Sequence, residues 1–468
     1  MTAPRTVFRL LLPAFLALGV AAESHAYTRA ETDSLLAAAR SATGENRFER
    51  AVVIYEGIVR GAPSRLPDVS PPLAYAYVRM GRLEDARREF RRASVLHPGD
   101  FDLRLGELSV LNWMGRHLEA WEGFEHLRRI NVTDPAPVLG LAAAQNWSGR
   151  RDLSRRSLAV VRGLDPGNAD AGHLAARIDR SLETRGEARL ELTDDGHGFR
   201  TTTRNGAVSV APHPQFRLSP FYAETEYRSG DDPPLRETRA GAGWSAQPWT
   251  RARLSGSAAL RLEASDDTAA EALTGTIAVE VVLDDRIRAG LETRRFSRPA
   301  PGQSPRRVEG SAHAVSLSLL PDHRSRVVFD AGRALYEGGG RRTGFAARGS
   351  REIHRRSGME AGFLARLAEF DPGNLPGLWS PDRFWAAAAT LEFAAGREDE
   401  ASIAAGGAVG PSGETEEGSG TYLVYWVRAT RAWGPFLLEA RYGRDERDPD
   451  RDTGYARTGG TFGASMRF

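Results

Sequence analysis

Few residues in this chain are equipped for covalent chemistry. Its 468 residues include no Cys and, among 63 basic side chains, no Lys. A Walker lysine, a Schiff base, a thiol nucleophile and a Cys-ligated zinc are therefore excluded, as are disulfides and a lipid-anchoring cysteine. The ten His residues are scattered and form no H-E-x-x-H. "GPSGE" from Gly410 misses the last glycine of a nucleophile elbow. "DPDRDTG" spaces Asp448, Asp450 and Asp452 as in a calcium loop, but Thr453 and Gly459 stand where such a loop needs Gly and Glu. The reading is a solvated acidic loop, and a non-enzymatic protein with no catalytic residue, resident metal or cofactor.

The informative charges alternate with apolar residues. In "RARLSGSAALRLEAS", Arg251, Arg253, Arg261 and Glu263 share one face, with Leu254, Leu260 and Leu262 on the other. In "GPFLLEARYG", Glu439 and Arg441 oppose Phe436, Leu438 and Tyr442. Period two describes half-buried strands of about ten residues. If such strands closed into a barrel, the six charged residues would line its lumen, where water makes charge cheap. Two meanings stay open for them: ordinary avoidance of charge on a lipid face, or a polar track along which a hydrated sugar chain slides.

The links between strands decide the architecture. Tight ones, "PHP" (Pro212–Pro214), "QP" (Gln247–Pro248), "DD" (Asp284–Asp285), "PD" (Pro321–Asp322), "RRS" (Arg355–Ser357), "GRED" (Gly396–Asp399) and "GP" (Gly434–Pro435), alternate with longer polar ones such as "SRPAPGQSPRR" and "GPSGETEEGSG". One-sided long loops and about sixteen strands predict a transmembrane antiparallel β-barrel over 186–468. A β-sandwich has no need of one-sided loops, and a propeller would show a blade repeat, which is absent.

Upstream the period becomes helical. Segments from Gly81, Gly115 and Gly149 align without gaps at a spacing of 34 residues, with Ala86/Ala120/Ser154 and Phe90/Phe124/Leu158 recurring. An earlier copy begins near Glu45, offset by a connection holding Pro63 and Pro67. This is the tetratricopeptide period, and it predicts an α-solenoid of about four repeats within 27–183. Its surface is expected to dock a periplasmic protein or polysaccharide partner.

The termini complete the expectation. Arg5 and Arg9 precede "LLLPAFLALGVAA", and Ser24-x-Ala26 suits signal peptidase, so residues 1–26 read as a signal peptide. No later apolar run is long enough for a membrane helix. The solenoid then falls on the periplasmic side, where the tight turns lie. A net charge of only +2 gives no nucleic-acid footprint.

Taken together, tetratricopeptide repeats followed by a barrel resemble bacterial outer-membrane exporters of exopolysaccharides such as cellulose and poly-N-acetylglucosamine. The barrel also resembles the YaiO-like family, to whose aromatic-x-Pro segment "LWSPDRFW" (Leu378 to Trp385) is similar. The large exporters carry many more repeats than four. The resemblance implies that Phe462, Ala464, Met466 and Phe468, two apart on the last strand, are the signal read by the barrel-assembly machinery. The expected function is an outer-membrane channel with a periplasmic docking domain, for export of an exopolysaccharide. The alternative is a scaffold or surface receptor whose barrel only anchors the repeats.

Overall fold

The computed structural model describes residues 27–194, 199–230, 233–264, 271–299, 307–337, 339–354, 358–371, 382–397, 400–414, 418–446 and 456–468. The expected signal peptide, the "DPDRDTG" loop and the first half of "LWSPDRFW" (378–381) lie outside the described residues.

Among the described residues nine α-helices come first: α1 (Arg29–Gly44), α2 (Phe48–Gly61), α3 (Leu66–Arg79), α4 (Leu83–Leu96), α5 (Phe101–Trp113), α6 (His117–Ile130), α7 (Pro135–Trp147), α8 (Arg151–Leu164) and α9 (Ala169–Leu182). The 34-residue spacing holds at the helix starts, from α4 to α6 to α8 and from α5 to α7 to α9. At each repeat junction Gly81, Gly115 and Gly149 take positive φ, and Asn46 does so at the corresponding point before α2. Left-handed backbone favours Gly, then Asn, which is why the glycine recurs. Ala86, Ala120 and Ser154 are fully buried at the helix crossings, and Phe90, Phe124 and Leu158 fill the seam. A Cβ on Gly106 or Gly140 would overlap the ring of Phe90 or Phe124. These two glycines, also 34 apart, let each phenylalanine lie against a neighbouring backbone.

Sixteen strands follow: β1 (Arg185–Asp194), β2 (Phe199–His213), β3 (Phe216–Ser229), β4 (Leu235–Trp249), β5 (Ala252–Ala264), β6 (Glu271–Asp284), β7 (Ile287–Pro299), β8 (Arg307–Asp322), β9 (Ser325–Tyr336), β10 (Arg341–His354), β11 (Met359–Asp371), β12 (Arg383–Arg397), β13 (Ala401–Glu414), β14 (Gly418–Trp433), β15 (Phe436–Glu446) and β16 (Ala456–Arg467). Each pairs antiparallel with its sequence neighbours, and β1 pairs with β16 from Arg185↔Arg467 to Asp194↔Thr458, closing the barrel. Closure leaves no unpaired edge, the condition for strands in lipid.

Directly paired residues share a face, so the two phases can be followed round the barrel. One phase carries large apolar side chains in the open: Val208, Tyr222, Leu260, Leu273, Ile277, Leu291, Val315, Phe329, Phe345, Leu391, Val409, Val427 and Phe462, with Ile277 58% exposed. Exposed apolar surface on that scale is unfavourable in water by about 25 cal/mol per Å² and neutral in hydrocarbon. This phase is the outer wall.

The tight links fall between β2 and β3, β4 and β5, and so on to β14 and β15, all at one end. Several strands run past the expected turn residues. Gln247 and Pro248 are inside β4, and the turn comes at Thr250 and Arg251. The long links are also shorter than the sequence implied. Of "GPSGETEEGSG" only residues 415–417 separate β13 from β14, and only four residues lie between the end of β9 at Tyr336 and the start of β10 at Arg341. A fourteen-residue strand tilted as in such barrels rises roughly 35 Å, whereas the apolar band of a barrel is ≈ 25 Å tall. The hydrogen-bonded ladder therefore continues beyond the band. There the outer phase becomes charged and paired, with Arg228 on Glu226 at 2.6 Å and Arg383 on Glu369 at 2.8 Å.

Contacts divide the chain into two compact units, Met1–Trp113 and Met114–Phe468. The first holds α1–α5, with a core of Tyr55, Ile58, Leu73, Phe90 and Leu103. The second holds α6–α9 together with the barrel.

Candidate functional site: the barrel wall and its helical rim

Within the second unit, α6–α9 are attached to the short-turn end through specific polar contacts. Helix α6 starts after Arg116, whose side chain does not cap it. Its cap comes instead from Asp285, in the β6–β7 turn. The Leu118 N–H donates to Asp285 Oδ1 at 2.9 Å and the Glu119 N–H to Oδ2 at 3.0 Å. A carboxylate at a helix start satisfies free N–H groups and opposes the helix dipole. Helix α8 likewise lacks a side-chain cap of its own. Around its start, Gln247 Nε2 donates to the Ser148 carbonyl at 2.6 Å, Arg150 Nη1 to Thr250 Oγ1 at 3.2 Å, and Gln215 Nε2 to Asp152 Oδ1 at 2.8 Å. Arg217 on β3 donates to the carbonyl of Ser181 at the end of α9, at 2.5 Å. Residues at three successive short turns, with Arg217 on β3, thus hold α6, α8 and α9. A Cβ on Gly149 would collide with the Gln247 amide, so this glycine serves both the repeat and the rim.

The rim shifts two titrations. Burial pushes the His117 imidazole below its usual value, with nearby Asp285 opposing and Arg288 reinforcing the shift. Burial also acts to raise the Asp152 carboxyl, but hydrogen bonds and charge from Arg150 outweigh it and hold it below the usual range.

The inner phase of the wall is mostly Gly, Ala, Ser and Thr with interspersed charges. Arg253 lies on this phase, opposite Glu280. Glu263 does too, at the register position opposite Glu237; its side chain lies outside the described residues. Glu439 and Arg441 share the phase on β15, where Arg441 is opposite Arg428. Arg251 sits in the β4–β5 turn and donates to the Leu283 carbonyl at 3.1 Å. Arg261 is on the inner phase but only 3% exposed. It donates to Ser297 Oγ and lies 3.3 Å from Glu309, while Ser297 Oγ donates to Glu309 at 2.7 Å. Arg239 joins the group by pairing with Glu237 and donating to the Ser297 carbonyl at 3.3 Å. Arg261 is therefore a strut between strands.

One sector departs from a polar lining. Leu364, Ala368, Phe370, Phe384, Ala386, Ala388, Ala408 and Tyr422, on the inner phase of β11–β14, form a buried apolar cluster, with Val424 against it. Beside it is a recess of about 440 Å³, lined among others by Arg326, Arg348, Arg366, Thr390, Glu392 and Trp426. Trp426 lies against the bare backbone of Gly406, and Arg441 sits 5.6 Å from its ring centre. Arg366 approaches Tyr422 in the same way, at 5.8 Å. An aromatic face edged by guanidinium and carboxylate groups can stack an apolar ring face while hydrogen-bonding its periphery.

At the seam, Phe462, Ala464 and Met466 lie on the outer phase, opposite Leu190, Ala188 and Gly186. The Phe468 N–H donates to the Thr184 carbonyl at 2.9 Å, and its ring lies over Gly186. Among the described residues, no group of three or more His, Asp or Glu is placed to hold a metal.

Comparison with known proteins supports the barrel. No protein-family model matches the chain, and no curated relative does. A solved structure titled "Bacterial polysaccharide outer membrane secretin" is similar at a TM-score of 0.50 and 14% identity, over 61% of this chain and 99% of that one. CdiB from Acinetobacter baumannii is similar at 0.40 and 10% identity, over 61% and 60%. MamA from Desulfovibrio magneticus RS-1 is similar at 0.29 and 16% identity, over 32% and 85%. The first of these likenesses is one of fold alone.

Proposed function

We propose that this protein is an outer-membrane channel whose helical domain stands on the periplasmic side and delivers an exopolysaccharide to the barrel. The observation that carries this reading is the attachment of α6–α9 to the short-turn end of a closed, apolar-walled barrel. In bacterial barrels the short turns face the periplasm, so the helices would stand where a polymer or its synthase complex arrives. A sixteen-stranded barrel is wide enough for an aqueous path, and the Trp426 recess offers a stacking face along it. The outward residues Phe462, Ala464 and Met466 would be read by the assembly machinery as β16 meets β1.

A second reading, a scaffold whose barrel only anchors the helices, is favoured by the buried cluster around Tyr422, which narrows the wall on one side. Liposomes carrying the full chain separate the two. Swelling in oligosaccharide solutions that falls with solute size is expected of a channel. Liposomes that hold folded protein yet stay impermeable, together with unchanged surface polysaccharide in a deletion strain, would establish the scaffold.

A further inference from the structure

Several arginines of the barrel wall pair with a carboxylate. Arg189 pairs with Glu187 at 2.5 Å, Arg348 with Asp330 at 2.9 Å, and Arg261 with Glu309 at 3.3 Å. At the short-turn end the inner phase gathers arginines that do not. Arg467, Arg185, Arg217 and Arg253 stand there on β16, β1, β3 and β5, and none of them forms an ion pair with a described carboxylate. Arg185 and Arg467 are directly opposed in register, two like charges side by side. Arg151, at the start of α8, is a fifth such cation. Burial lowers its affinity for a proton, and the nearby charges of Arg217 and Arg253 lower it further.

Between these arginines the wall is hydroxylated. Ser209 is opposite Arg185, and Ser245 is opposite both Arg217 and Ser255. Ser209 and Ser219 hydrogen-bond to each other at 2.7 Å. Glu280, opposite Arg253 in register, pairs with Arg288 at 4.0 Å, so the cations of this stretch outnumber its carboxylates. Like charges brought together are destabilising, and a lipid-spanning barrel gains nothing by collecting them at one mouth. Strands lie about 4.8 Å apart, so cations on β1, β3 and β5 recur at roughly twice that distance along an arc. An arc of spaced cations with hydroxyls between them does not converge on one small ion. It suits an extended chain bearing a negative charge at regular intervals.

We propose that this arc is the entry site for a carboxylated polysaccharide, a polymer of uronate residues, at the helical end of the barrel. The assignment rests on the passage reading above and adds the charge of the cargo. The arginines draw the polyanion to the mouth and replace part of its hydration. Ser209, Ser245 and Ser255 hydrogen-bond its hydroxyls, and Arg151 couples the mouth to α8.

The test uses the full chain in detergent, with heat-modifiable gel migration to show that each variant is folded. Calorimetry with a decameric oligogalacturonate should show binding that weakens about tenfold or more in the triple variant Arg185→Gln, Arg217→Gln, Arg253→Gln, and that weakens with added salt. A neutral maltodecaose should bind neither protein. Equal binding of the two sugars, or a triple variant that binds as the parent does, would overturn the proposal. So would a single-stranded DNA oligomer that binds as tightly as the uronate. In planar bilayers, reversal potentials should shift from anion-selective toward unselective in the triple variant. A conducting barrel without anion selectivity overturns the entry site alone. A silent barrel that still binds the uronate supports the arc and overturns only the passage.

Discussion

Replacing Asp285 with Ala tests how the helices are held to the barrel. Its carboxylate accepts from two backbone N–H groups at the start of α6, at 2.9 and 3.0 Å, in a part-buried setting. Hydrogen bonds to a charged group contribute about 1.5–3 kcal/mol each, and a carboxylate at a helix start adds about 0.3–1 kcal/mol. Allowing for water that re-solvates part of the freed amides, the loss should be about 2–4 kcal/mol. Hydrogen exchange reads this locally. The Leu118 and Glu119 amides should lose about 30- to 1,000-fold in protection, while amides in the middle of β6 and β7 hold theirs. Asp284→Ala is the control, because Asp284 accepts from Arg286 and Ile287 within its own turn, at 2.6 and 2.9 Å. It should loosen the turn and leave Leu118 and Glu119 more protected than Asp285→Ala does. Unchanged exchange at Leu118 and Glu119 in Asp285→Ala would refute the borrowed cap.

The burial that lowers the His117 pKa keeps the imidazole neutral in the fold, so the unfolded chain binds the extra proton first. Attachment of α6 should weaken as pH falls through about 6.5, and His117→Gln should remove that part of the pH dependence in exchange or proteolysis measurements. Gly140→Ala sets a Cβ against the Phe124 ring and should cost about 1–3 kcal/mol in denaturation of the second unit. Ile277→Arg places a charge on the outer wall and should lower barrel stability in lipid by up to about 2–4 kcal/mol, read by urea unfolding in vesicles. Thr276→Arg, one residue away on the inner phase, should cost much less.

The parts of this fold that were legible in the sequence are the periodic ones. Gly81, Gly115 and Gly149 mark each repeat because a left-handed residue is needed at each junction. Arg253, Glu439 and Arg441 alternate with apolar residues because one side of a strand meets lipid. Asp285 was visible only as a turn residue, since its partners lie 166 and 167 positions away. Gly106 and Gly140 keep the repeat spacing, but their purpose appears only when the rings of Phe90 and Phe124 are in place. In "GFLARLAEF" both phases are apolar, with Phe363 facing out and Leu364 and Phe370 facing in, so alternation could not reveal the inner cluster. Arg261 looked like its neighbour Arg253, and what distinguishes them is Glu309, which three intervening links bring alongside.

The central claim is that the barrel conducts and that its helical end is the entrance. Single-channel recording of the full chain in planar bilayers, with folded insertion verified by protease protection of the strands, tests it most directly. Stepwise conductance is predicted, with uronate oligomers blocking from the side of α6–α9 and not from the other. Folded, inserted protein that gives no conductance at any voltage, or block that is indifferent to side, would contradict it.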